Sequence, residues 1–175
     1  MSSKADEFGP SVLRRHRVRD RLARYVRDGY SCGTLLAYET ADDATDSRRL
    51  LDNPPFVQYA WRDDLRLQIE VQGDQFRNEP YSDHQRRLLR DMGFAAPFEA
   101  GDDFCNWTHF REAEGCESRS AATCMIDALW WVHGINFHPW SIAQKLGTPY
   151  WQFQWSISSE RIDIEAELRR RHGRN

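Results

Sequence analysis

Four cysteines and six histidines carry the most specific chemistry open to this 175-residue chain. Cys105, His109, Cys116, Cys124, His133 and His138 fall in one stretch and could be imagined around zinc. Their spacing supplies none of the closely spaced cysteine pairs that a closed structural site uses. Cys124 also lies in an apolar segment, where a thiol behaves as a small hydrophobe. Packing roles and no bound metal are expected. A Cys–His nucleophile needs a base within reach and an electropositive, partly open setting. Cys105 with His109 comes nearest, but Glu99, Asp102 and Asp103 beside it would raise the thiol's pKa. An enzyme using that pair is the lesser reading; no catalytic residue and no cofactor are expected.

The carboxylate pairs Asp42-Asp43, Asp63-Asp64 and Asp102-Asp103 sit in turns, where acids support the turn by local hydrogen bonds. Asp127 stands on a mostly apolar helix and should pair with an arginine or point along a polar strip. Nucleotide and hydrolase chemistry lack their usual marks, since no glycine-rich phosphate loop and no Gly-x-Ser-x-Gly segment occurs.

The formal net charge of −3 hides an asymmetry. Seven arginines (14, 15, 17, 19, 21, 24 and 27) face only Asp20 and Asp28 in the segment Ser11 to Asp28, whereas 18 acids outnumber 10 arginines from Ser31 to Ser120. The simplest use is mutual, with the basic helix lying against an acidic body. Phosphate binding by the arginines is the competing use, and nucleic acid is not the expected partner. No run of 18 apolar residues is present, and the first thirty residues carry no apolar core of a secretory signal. A cytoplasmic protein without a membrane partner is expected.

Aromatic side chains make the strongest binding argument, with seven tryptophans in a chain that is 13% aromatic. Most must be core, but large rigid amphipathic rings also anchor interfaces. Tyr59, Trp61 and Trp107, with Trp151, Phe153 and Trp155, are the expected contacts for a partner polypeptide or a second copy of the chain.

These residues need elements to place them. Residues 1–10 read as a loose tail, and Ser11 as the N-cap of a helix to Asp28 closed by Gly29. Thr34 to Glu39 reads as a short strand, and Thr40 to Asn53 as an acidic loop with a possible helical turn at Arg48 to Leu51. Val57, Tyr59 and Trp61 alternate with polar residues, as do Leu65, Leu67, Ile69 and Val71. This is the pattern of an antiparallel hairpin with one buried face. Placing both apolar sets on one face sets Trp61 opposite Leu65, Tyr59 opposite Leu67 and Val57 opposite Ile69. Arg62-Asp63-Asp64 is then the loop.

Ser82 and Gln85 form a capping box for a helix that Gly93 ends. Phe104 to Phe110 fits a strand or an ordered turn. Ser118 or Ser120 should cap the most apolar helix, which runs to about His133. Pro139 opens a short helix that Gly147 closes. Trp151, Phe153, Trp155 and Ile157 alternate with Gln152, Gln154 and Ser156 as a strand with one wet side, followed by a charged helix from about Ser159 to Arg171.

Phe56 to Ala60 with Leu65 to Val71, the Ser-capped helix ending in Met92-Gly93-Phe94, the pair Asn106-Trp107 and the element Val132 to Ile135 together resemble the TY-Chap family. That family is named for its similarity to type III secretion chaperones and YbjN proteins. The resemblance implies an α+β fold, a twisted antiparallel sheet flanked by helices of the secretion-chaperone-like type, often a homodimer and used to bind a polypeptide. It brings no catalytic residues. The expected organisation is a tail at 1–10, a chaperone-like domain at 11–149, and an extension of aromatic strand plus helix at 150–175.

Overall fold

The computed structural model describes residues 4–40, 53–114 and 116–173. In chain order it contains α1 (Lys4–Arg27), β1 (Cys32–Thr40), β2 (Phe56–Trp61), β3 (Arg66–Val71), a 3-10 turn (Asp74–Phe76), α2 (Asp83–Asp91), β4 (Trp107–Glu112), α3 (Ser118–Asp127), a π-helical turn (Ala128–Val132), α4 (Trp140–Leu146), β5 (Tyr150–Ile157) and α5 (Ile164–His172). The strands form one sheet in the order β4-β3-β2-β1-β5, every neighbour antiparallel. This is the expected α+β architecture. The segment Phe104 to Phe110, open between strand and turn, enters the sheet as β4 from Trp107.

One sheet face carries the core. Leu35, Val57, Tyr59, Leu67, Ile69, Val71, Trp107 and Trp151 pack there against Leu22 and Val26 of α1, Leu89 of α2 and Met125, Ile126 and Leu129 of the central helix. The hairpin puts both apolar sets on that face, two residues away from the expected register. Trp61 lies opposite Leu67, Tyr59 opposite Ile69 and Val57 opposite Val71. The loop is Asp63-Asp64-Leu65, with Arg62 N–H donating to the Arg66 carbonyl and Leu65 N–H to the Arg62 carbonyl, both at 2.9 Å. Leu65 adopts a left-handed φ of 63°, giving the type I turn plus left-handed residue of a three-residue hairpin. Its side chain is buried, and that burial offsets the cost of left-handed backbone in a branched residue.

The other face of β3, expected to be wet, is closed. Glu70 is only 7% exposed. It accepts from the side-chain amides of Gln58, Gln68 and Asn106, the last at 2.9 Å. Asn106 Oδ1 also accepts from Gly73 N–H at 2.9 Å. The Asn106-Trp107 pair therefore serves both faces, the amide satisfying buried polar groups and the indole entering the core.

Helix boundaries depart from expectation where the caps do. The first helix begins at Lys4 with Pro10 inside it, so Ser11 is no N-cap. Its hydroxyl is instead buried against His138 Nδ1 at 2.8 Å. Residues 4–10, read as tail, are thus helical, and the turn considered at Arg48 to Leu51 lies outside the described residues. Glu117 holds the N-cap of α3 in place of Ser118 or Ser120. Past Asp127 the helix widens into the π turn, where His133 N–H reaches back to the Ala128 carbonyl at 3.2 Å. The last helix starts at Ile164, capped by Asp163 rather than from Ser159. The capping box at Ser82 and Gln85 forms as expected. Gly93, at φ 89°, closes that helix with Phe94 N–H on the Leu89 carbonyl and its own N–H on the Arg90 carbonyl, a Schellman end.

Candidate functional site

α1 runs alongside β5, and the row Arg14, Arg17, Val18, Arg21, Tyr25 faces that strand. Helical spacing puts these residues on one side. The Arg14 guanidinium donates to the carbonyls of His138 and Trp151 and lies 4.7 Å from the Tyr150 ring centre and 5.3 Å from that of Phe153. Burial pulls its pKa down, while Tyr150 acts in the opposite sense. Arg21 lies 4.9 Å from the Trp155 ring centre and donates to Tyr25 Oη at 3.0 Å. Arg15 pairs with Asp127 and covers Trp130 at 4.4 Å, which accounts for the one acid on the apolar helix. The expected pairing of α1 with an acidic body is therefore narrow. Arg15 meets an acid there, while Arg14 and Arg21 lie on rings, because a planar, weakly hydrated guanidinium stacks well on an aromatic face. Arg17 is exposed and has no partner among the described residues.

A groove opens between this row and β5. Arg14, Arg17, Val18 and Arg21 with Tyr150, Gln152, Phe153 and Trp155 line a cavity of ≈ 380 Å³. A second of ≈ 410 Å³, lined by Arg21, Tyr38, Gln152, Phe153, Gln154 and Trp155, continues round the strand to the other sheet face. β5 is the last strand of the sheet on this side. Ser158 N–H bonds the Cys32 carbonyl at 3.1 Å, so even-numbered residues of β5 turn their main chain toward β1. Trp151, Phe153 and Trp155 turn theirs to the open edge, by the alternation of an antiparallel ladder. Arg14 takes the Trp151 carbonyl. The main-chain groups of Phe153 and Trp155 on that edge have no partner among the described residues.

Of the expected contact residues, Trp151, Phe153 and Trp155 come together on β5, with Trp151 buried and the other two partly buried against the core where they line the groove. Tyr59 and Trp107 are 1% and 2% exposed and belong to the core. Burial raises the pKa of the Tyr59 hydroxyl, with Cys32, Tyr25 and Tyr30 adding to the effect, and neither that hydroxyl nor Trp107 Nε1 finds a hydrogen-bond partner among the described residues. Trp61 reaches the surface beside the hairpin loop, at a separate hollow lined by Ala60, Arg62, Asp63 and Asp64. Tyr38 and Tyr150 are additions to the expected contacts, and Arg14, Arg17 and Arg21 were weighed only as part of a phosphate-binding helix. The i, i+3, i+7 spacing of the three arginines was the available signal.

The chemistry considered around the cysteines and histidines is not assembled. All four cysteines are free. His109 Nδ1 bonds the Gly93 carbonyl at 2.7 Å and its ring lies against Phe94, while the Cys105 carbonyl accepts from Gln75. No contact joins Cys105 to His109, and no group of three potential metal ligands forms among the described residues. His133 is instead the centre of a relay. Arg77 Nη1 donates to its Nδ1 at 3.0 Å, its Nε2–H donates to Tyr81 Oη at 3.0 Å, and that hydroxyl donates to the Gln72 carbonyl at 2.8 Å. Burial first, and the Arg77 charge second, pull His133 down to about 3.

Residues 16–146 match the family described as T3SS (YopN, CesT) and YbjN peptide-binding chaperone 3, TY-Chap3. The chain belongs to the TY-Chap3 family. The match runs from the arginine row of α1 through the hairpin and the central helix to the end of α4, and stops short of β5. Membership supplies a chaperone-type role in binding peptides or polypeptides. No curated protein and no solved structure matches the chain. No described helix is long and apolar enough to cross a membrane.

Proposed function

We propose that this protein is a non-catalytic, cytoplasmic binding module that holds a partner polypeptide in the groove between α1 and β5. The observation that carries this is the open edge of β5. It offers main-chain groups at Phe153 and Trp155 that have no partner among the described residues, beside partly buried rings, and an extended peptide satisfies both at once. Phe153 and Trp155 make the contacts, Trp151 anchors the strand from below, and Trp61 offers a second apolar point beyond the groove. The family's peptide-binding character supports the same reading. A homodimer formed through the same edge is part of the proposal and would compete with the partner.

Panning a random peptide library displayed on phage against the intact protein tests it. The expected result is enrichment of peptides whose binding is lost in Phe153→Ser and Trp155→Ser while the proteins remain folded by circular dichroism. Enriched peptides that bind both variants as tightly as the parent would place the site elsewhere.

A further inference from the structure

The groove has a charge as well as a shape. Arg14, Arg17 and Arg21 line it, and no carboxylate among the described residues does. Arg14 is held by two carbonyls and two rings, and Arg21 by a ring and a hydroxyl, with no acid among their described partners. Arg17 has none of these contacts. Elsewhere on the same helix Arg15 pairs with Asp127, Arg19 with Asp20 and Arg27 with Asp28, while exposed Arg24 has no acid among the described residues. Three arginines without an acid among the described residues thus share the face that looks onto the open strand edge.

We infer that the groove selects an acidic extended segment, one that adds to the free edge of β5 and turns carboxylates at alternate positions toward Arg17 and Arg21. This deepens the polypeptide-binding reading and rests on it. Geometry sets the spacing. Arg14 and Arg21 are seven residues apart on a helix, about 10 Å along its axis. Alternate residues of a strand are about 6.7 Å apart and project to one side. Two or three alternate carboxylates thus span the arginine row while the main chain between them bonds Phe153 and Trp155. Guanidinium and carboxylate match as paired donors and acceptors. Intervening apolar side chains fall on the opposite side, near Tyr38. A nucleic acid fits less well, because its backbone cannot complete an alternating ladder of N–H and C=O groups, and the chain's net charge of −3 repels it overall.

Fluorescence anisotropy with three labelled nine-residue peptides, alternating Val with Glu, Gln or Lys, tests the assignment on the intact protein. The Glu peptide should bind at least tenfold more tightly than the Gln peptide, the Lys peptide should not bind, and the Glu advantage should shrink with added salt. Arg17→Glu with Arg21→Glu should abolish that advantage. Arg17→Ala alone removes no contact among the described residues and should weaken the Glu peptide. N-methylation of alternate peptide amides should abolish binding in one of the two registers. Equal binding of the Glu and Gln peptides would overturn the acidic assignment and leave polypeptide binding standing. Failure of these peptides and of every library peptide to bind would overturn both. Displacement of the Glu peptide by short oligothymidylate at equal concentration would reassign the arginines to phosphate. A dimer broken by the Arg17→Glu change would assign the groove to a second copy.

Discussion

The relay through His133 makes stability depend on pH in a way that one substitution should remove. In the folded protein its imidazole is neutral, accepting from Arg77 and donating to Tyr81, and its pKa falls to about 3. An unfolded histidine titrates near 6.5. The folded value is the lower, so the fold favours the neutral ring. Its contribution is complete above about pH 6.5 and declines by about 1.4 kcal/mol per unit as the pH falls toward the folded value. Between pH 7 and pH 5 this amounts to about 2 kcal/mol. His133→Gln keeps one donor and one acceptor but does not titrate. Urea unfolding of both proteins at pH 7 and pH 5 gives four free energies, and the double difference cancels the carboxylates and the other histidines they share. The parent should lose about 2 kcal/mol more than the variant over that interval. Equal losses would refute the assignment, and would mean that the ring is protonated in the folded state at pH 5.

Three further outcomes follow from particular contacts. Gly29→Ala combines a φ of 73° with a Cβ that would sit 2.2 Å from the Ile162 carbonyl oxygen, whereas Gly134→Ala, at φ 68°, meets nothing within 4 Å. The second should cost about 1 kcal/mol from backbone strain alone and the first clearly more, as thermal melts of the pair will show. Asn106→Leu orphans the Gly73 N–H and strips one donor from Glu70, so denaturant titration should record a loss of about 1–3 kcal/mol. Tyr59→Phe removes a buried hydroxyl that has no partner among the described residues; its melting temperature should hold or rise, and a clear fall would reveal a hydrogen bond at that oxygen.

Much of this molecule follows from local rules that the chain obeys without reference to its tertiary surroundings. Alternation placed Val57, Tyr59 and Trp61 on one face with Leu67, Ile69 and Val71, and made Tyr150–Ile157 a strand. The capping box at Ser82 and the glycine end at Gly93 depend on residues a turn apart, so they too were legible. Packing decided the remainder. A two-residue slip of the hairpin preserves both faces, so periodicity could not separate the two registers. The choice turned on burying Leu65 in a left-handed turn. Tyr59 and Trp107 carry the same ring chemistry as Phe153 and Trp155, yet Tyr59 is covered on an inner strand and Trp107 on the edge strand β4 by Tyr81 and Arg90, while Phe153 and Trp155 line the groove at the opposite edge. What packs over each ring, which is a non-local property, separated core rings from groove rings, since Trp107 and Trp151 are buried on edge strands. The seven arginines of α1 were equally indistinct in sequence. Docking α1 beside β5 set Arg15 on Asp127 and aligned Arg14, Arg17 and Arg21 with an open strand edge, because a residue's partner is set by which surface its helix face meets.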